Sequence, residues 1–204
     1  MKVIFAHGFE GSPDGSKPTY MREELGWEVI APVLSTKGWT IENETEVLLE
    51  VIDENPDVDI ISGSSMGGLA ALNASEQRPD SNFKLLLLAP VFGLVDGLRR
   101  DYNKLQLAGW KLKGSVPYEH RGLGQTIKLG YDFFTAADKM SWPVPAHQCI
   151  IIHGTGDAIV PIERSRKMAE QHPSKIHLIE VDDEHRLLES LERIPEAAQL
   201  LMKP

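Results

Sequence analysis

With 204 residues, 42% of them hydrophobic, the chain can bury about 70% of its unfolded surface in one domain without disulfide staples. A formal charge of -9 and a pI near 5.3 exclude nucleic acid or an anionic membrane as the main partner, since both attract basic surfaces. Cys149 is the lone cysteine and lies in an apolar run, so no internal disulfide can form and a buried thiol in a reducing compartment is expected.

The chain opens with Val3-Ile4-Phe5-Ala6, a continuous apolar run of the kind a strand buried on both faces shows. Four apolar residues are too few for a signal peptide or membrane anchor, and a cytoplasmic protein is expected. The loop from Glu10 to Lys17 is followed by a helix from Pro18 to Gly26. Gly11 to Lys17 reads GxxxGSK, one residue short of a P-loop and with Pro18 after the lysine, so it is not expected to cradle phosphate. A second strand over 28–32 precedes a helix from Ile41 to Glu54, capped by Thr40 and broken at Asn55-Pro56. Strand three covers 58–62. A helix to Gln77 follows the Gly/Ser turn, and the uniformly apolar run over 84–90 reads as a central parallel strand.

From Gly93 to Pro145 the alternation stops. This stretch carries eight Lys or Arg against five Asp or Glu, a surplus of three, which leaves -12 to the rest of the chain. Seven of the fourteen aromatics fall here: Tyr102, Trp110, Tyr118, Tyr131, Phe133, Phe134 and Trp142. A basic, aromatic-rich insertion between two strands suits a lid or substrate pocket, and equally a layer packed onto the body with solvated charges. Regular structure resumes with a fifth strand over 148–153, a helix from Ile162 to Gln171, and a sixth strand over 175–181 whose mixed polarity suits a sheet edge. A last helix is expected to fill the chain to Met202, bent at Pro195. Strands alternating with helices call for an open, mainly parallel sheet whose carboxyl-end loops converge on one crevice.

The chemistry concentrates at the third strand. Gly63-Ser64-Ser65-Met66-Gly67 fits GxSxG between an apolar strand and a helix former. A chain turning from strand to helix so sharply strains the central residue and needs neighbours without bulk. The outcome is an exposed Ser65 hydroxyl at a helix N-terminus, where the Met66 amide is free to meet an oxyanion. Serine needs a base and a carboxylate to orient that base. Asp157 and His185 follow the fifth and sixth strands by a few residues and should face the same crevice, in the chain order Ser, Asp, His.

These motifs, together with His7-Gly8-Phe9 after the first strand and Gly154-x-x-Asp157-x-x-Val160-Pro161, give a chain that resembles a small member of the alpha/beta-hydrolase superfamily, similar to compact bacterial serine esterases. The resemblance implies a compact α/β fold of about six strands with helices on both faces and a lid-like insertion at 93–145, all in one domain over 1–204. It implies Ser65 as nucleophile, His185 as base, Asp157 as its orienter, and the backbone N–H groups of Phe9 and Met66 as the oxyanion hole. The first two strands usual in the superfamily are missing, and the loop after His7 is not of the HGGG type.

Other residues compete for these roles. His7 and His153 end strands and are alternatives as base, although structural histidines are common there; Asp96 is an alternative acid. Asp182 and Asp183 lie too near His185 along the chain to orient its far side. His120, His147, His172 and His177 lack metal-ligand spacing, and neither metal nor cofactor is expected. The expected activity is hydrolysis of a small carboxylic ester or thioester, with a slight bias towards anionic substrates from the basic insertion. A silent hydrolase fold serving as a binding module, or acyl transfer on the same framework, is the alternative.

Overall fold

The computed structural model describes residues 1–203. The body begins with β1 (Lys2–Ala6), α1 (Ser16–Glu23), β2 (Glu28–Ile30), a 3-10 turn (Leu34–Lys37), α2 (Ile41–Glu54), β3 (Ile60–Ser64), α3 (Met66–Gln77) and β4 (Lys84–Leu88). An intervening segment holds α4 (Leu94–Asp101), α5 (Lys104–Lys113), β5 (Ser115–His120), β6 (Gln125–Gly130) and α6 (Asp132–Met140). The chain finishes with β7 (Cys149–Gly154), α7 (Glu163–Gln171), β8 (Ile176–Val181) and α8 (Arg193–Leu201). Among the described residues, six strands form one sheet in the order β2-β1-β3-β4-β7-β8, with every pairing parallel. The β5–β6 hairpin is separate and antiparallel.

Continuous apolar strands fold this way because both sheet faces are covered. Ile4, Ala6, Ile61, Leu85, Leu87 and Ile151 point into a core shared with α2, α3 and α7. Their neighbours Val3, Phe5, Ile60, Leu86, Leu88 and Ile152 point into a second core closed by Met21 of α1 and Ile194, Ala197 and Ala198 of α8. The period-2 alternation of side chains therefore divides one apolar run between two cores. β4 is central, as its composition requires, and β8, with its polar residues, lies at the edge. Thr40 caps α2 by accepting the Asn43 N–H at 3.1 Å.

Two regions differ most from expectation. The last helix starts only at Arg193, because residues 182–192 form an irregular loop pinned by Asp183, whose carboxylate accepts the Glu184 and Glu189 N–H groups. Pro195 thus sits in the first turn of α8, where its missing N–H costs no helical bond, and it does not bend a longer helix. Residues 93–145, for which alternation assigned no elements, contain three helices and the hairpin. Trp110 of α5 is buried and its Nε1 donates to the Leu129 carbonyl of β6 at 3.0 Å, joining helix to hairpin. Trp110, Leu129 and Phe133 share the core that holds α2 and α3.

Candidate active site

Parallel pairing puts all the carboxyl ends of the strands on one edge, and the chemistry-bearing residues gather there. Ser65 joins β3 to α3 with φ 55° and ψ −118°, a left-handed conformation that side chains avoid. Neighbouring backbone holds it there. Its N–H donates to Leu88 O at 3.0 Å, and its carbonyl accepts the N–H groups of Gly68, Leu69 and Val91 at 3.1–3.2 Å. Such strain costs about 1–3 kcal/mol and persists only where surrounding bonds over-determine it. The flanking glycines are required by crowding: a Cβ on Gly63 would stand 2.4 Å from Gly67 O, and one on Gly67 would stand 2.1 Å from Ala6 O. Ser65 Oγ has no hydrogen-bond partner among the described residues.

Two strands along, Asp157 and His185 meet. His185 Nδ1 lies 2.7 Å from Asp157 Oδ2, with the carboxylate wholly buried and the imidazole 15% exposed. Asp157 Oδ1 accepts the N–H groups of Ile159 and Val160 at 2.9 and 2.8 Å, and its Oδ2 is also 3.1 Å from His153 Nε2. Burial alone would raise the Asp157 carboxyl; the bonds from His153, His185 and Val160 outweigh it and hold the group well below the usual carboxylate range. The structure thus joins Asp157 to His185 directly and sets Ser65 on the same sheet edge, with no direct hydrogen bond between Ser65 and His185.

The competing residues have other partners. His153 is fully buried, with Nδ1 on Ser165 Oγ at 2.7 Å and Nε2 shared between Asp157 and Val160 O, so it supports the carboxylate and has no access to substrate. His7 binds the Gly8 carbonyl through Nδ1 at 2.9 Å. Asp96 is half-exposed on α4, 4.0 Å from Arg99.

Four contributors escaped the sequence. Lys17 is buried on α1 and its Nζ donates to Arg186 O at 2.7 Å, tying the first turn of α1 to the His185 loop. Burial and the Arg186 charge, opposed by Asp183, push its ammonium down to about 8. The other three are His153, weighed above only as a base, His120 and Glu10. The hairpin reaches down onto the loop carrying Phe9: Tyr118 Oη donates to Glu10 Oε1 at 2.7 Å, and His120 Nε2 lies 2.8 Å from Phe9 O. Burial, then the Glu10 bond, raises Tyr118 to about 12. The Phe9 ring is ringed by Trp39, Tyr118, His120 and Phe133, with centroids 5.3–5.7 Å away. The N–H groups of Phe9 and Met66 have no partner among the described residues.

The model of the uncharacterised protein family UPF0227 matches residues 2–202. The chain belongs to that family. Beyond it, the mouse mitochondrial palmitoyl-protein thioesterase ABHD10 is 28% identical over 92% of this chain and 69% of its own length. The solved mouse ABHD10 structure superposes with a TM-score of 0.76 at 21% identity, covering 98% of this chain and 90% of that one. Est1E from Butyrivibrio proteoclasticus gives 0.77 at 20% identity, covering 98% and 86%. The UPF0227 chain therefore has the alpha/beta-hydrolase fold that its motifs resemble. The cytoplasmic expectation is corrected by the curated relatives from mouse, rat, Pongo abelii and human, all four of which are mitochondrial proteins by name. A single buried thiol has no internal partner in any compartment and does not distinguish one from another.

Proposed function

We propose that this chain is a serine hydrolase that cleaves a small carboxylic ester or thioester through an acyl-enzyme. Ser65 is the nucleophile, His185 the general base and acid, Asp157 its orienter, and the Phe9 and Met66 N–H groups the oxyanion hole. The observation that carries the reading is the strained, backbone-pinned Ser65 on the sheet edge that also holds the His185–Asp157 pair. Because Nδ1 of His185 is committed to Asp157, Nε2 is the nitrogen left to take a proton. As Ser65 Oγ bonds to the carbonyl carbon, its proton passes to His185 Nε2 and the carbonyl oxygen becomes an oxyanion. Collapse restores the C=O and breaks the bond to the leaving oxygen or sulfur, which departs with the proton from His185. Water then repeats the sequence, releasing the acid and regenerating Ser65.

Thioester substrates are favoured by the palmitoyl-protein thioesterase name of the relatives, and the same acyl-enzyme chemistry serves carboxylic esters. The segment over 93–145 serves as the cap that contacts the acyl donor. Its outer face holds Lys104, Lys111, Lys113, Arg121 and Lys128, none in an ion pair among the described residues, beside exposed Leu105 and Leu112. Those free cations support donors with an anionic group. Hydrolysis of p-nitrophenyl and thiol esters of increasing chain length, by the wild type and Ser65→Ala, tests the reading: turnover abolished in a folded Ser65→Ala supports it, and parental turnover sinks it.

A further inference from the structure

We propose that His120, contributed by the hairpin of the insertion, is a positioning residue that holds the oxyanion loop in its working conformation. The proposal rests on the reading of the Phe9 N–H as an oxyanion donor. A planar peptide group turns as a unit, so gripping its carbonyl also aims its N–H, which points the opposite way in a trans bond. The Gly8–Phe9 peptide carries the Phe9 N–H. Its carbonyl, Gly8 O, is held by the Gly11 N–H at 2.8 Å and by His7 Nδ1 at 2.9 Å. The next peptide, Phe9–Glu10, is held at Phe9 O by His120 Nε2 at 2.8 Å. With both flanking peptides fixed, neither soft dihedral of Phe9 is free to rotate.

Both rings are set for this work. The Leu34 N–H donates to His7 Nε2 at 3.4 Å and the Leu123 N–H donates to His120 Nδ1 at 3.1 Å. Each ring is therefore an acceptor at one nitrogen and must carry its proton on the other, the one that faces a Phe9-loop carbonyl. Both are buried, at 7% and 2% exposure. The hairpin that carries His120 is anchored to the same loop independently. Glu10 Oε1 accepts from Tyr118 Oη at 2.7 Å, and Glu10 Oε2 accepts the Gly122 N–H at 3.3 Å. The approach is close enough that a Cβ on Gly122 would stand 2.2 Å from Glu10 O. The insertion accordingly completes the reaction site and does more than cover it. The competing account is that His120 merely fills the aromatic cluster around Phe9.

The test compares His120→Leu, His120→Gln and Glu10→Ala with wild type for kcat, KM and inhibition by phenylboronic acid, which bonds a serine oxygen as a tetrahedral anion. A displaced oxyanion donor costs transition-state stabilisation without affecting ground-state binding. His120→Leu is expected to lower kcat about tenfold to a hundredfold with KM within about twofold, and to weaken the boronate by the same factor as kcat. His120→Gln, whose side-chain N–H can still reach Phe9 O, recovers most of both. Glu10→Ala, which frees the hairpin without touching His120, loses less in the same two quantities. Unchanged kcat and boronate affinity in His120→Leu, a loss confined to KM, or a Gln variant no better than Leu each overturns the proposal. If His120→Leu fails to fold, His120→Gln and Glu10→Ala carry the comparison. Ser65→Ala, run alongside, separates the two levels: activity surviving there removes the serine-hydrolase reading itself.

Discussion

The sheet edge and the insertion solve opposite problems. On the body, several surface cations are matched: Lys2 to Asp57, Lys37 to Glu46, Arg78 to Asp53, Arg166 to Glu180 and Arg193 to Glu196. At the edge, Ser65 and Asp157 are held by backbone bonds from several elements. The insertion packs inward through Trp110 and Phe133 yet leaves Leu105 85% and Leu112 90% exposed, among cations with no ion-pair partner among the described residues. A rigid frame suits bond-making, and an unmatched outer face suits a variable donor. The body should therefore set whether the reaction occurs, and the outer face of the insertion which donors are preferred.

The sharpest break in that contrast is Ser65→Ala, expected to cut kcat about 10⁴-fold or more for every ester tried, with an unchanged melting temperature. Asp157→Asn follows, with a loss of about 10²–10⁴-fold, since the imidazole would lose its fixed tautomer; steady-state rates on one ester give both values. His153→Leu comes next. It removes one donor from a buried carboxylate and should cost about 1–3 kcal/mol in denaturant titration. Because the folded-state pKa of Asp157 is depressed, its contribution is complete above the unfolded value of about 3.9 and is lost as pH falls through the lower folded value. In His153→Leu the folded value is less depressed, so the loss should be smaller and complete at a higher pH, and equal acid limbs in both proteins would contradict the arrangement.

Reversing three outer charges with Lys104→Glu, Lys111→Glu and Lys113→Glu should lower the ratio of kcat/KM for anionic over neutral esters about threefold to tenfold, with the effect shrinking in high salt. Equal rates of the wild type on neutral and anionic esters would remove the donor preference. The smallest effect is at Lys17. Its folded-state pKa, lowered to about 8, means that the unfolded chain binds more protons between there and about 10.4, so stability should rise with pH across that window. Lys17→Met should flatten the rise, measured by urea unfolding at pH 7, 8, 9 and 10.

What could be read in advance was what short-range pattern encodes. GxSxG marks Ser65 because the turn excludes side chains at Gly63 and Gly67, and Asp157 and His185 stand out because each closely follows the carboxyl end of a strand. The contacts that escaped are long-range. His120 meets Phe9 O across 111 residues, and Lys17 meets Arg186 O across 169, with nothing local to either lysine or histidine that names the partner. The helices of the insertion owe their placement to Trp110 and Phe133 in a shared core, which is tertiary information. Pro195 was ambiguous for a local reason: the same residue that kinks a helix interior also starts one.

The most direct measurement is labelling of the intact protein with a fluorophosphonate, followed by mass mapping of the adduct. The account predicts a single adduct on Ser65, lost in Ser65→Ala and strongly slowed in His185→Ala. Labelling elsewhere with Ser65 unmodified, in a protein that remains folded and turns over esters, would contradict it.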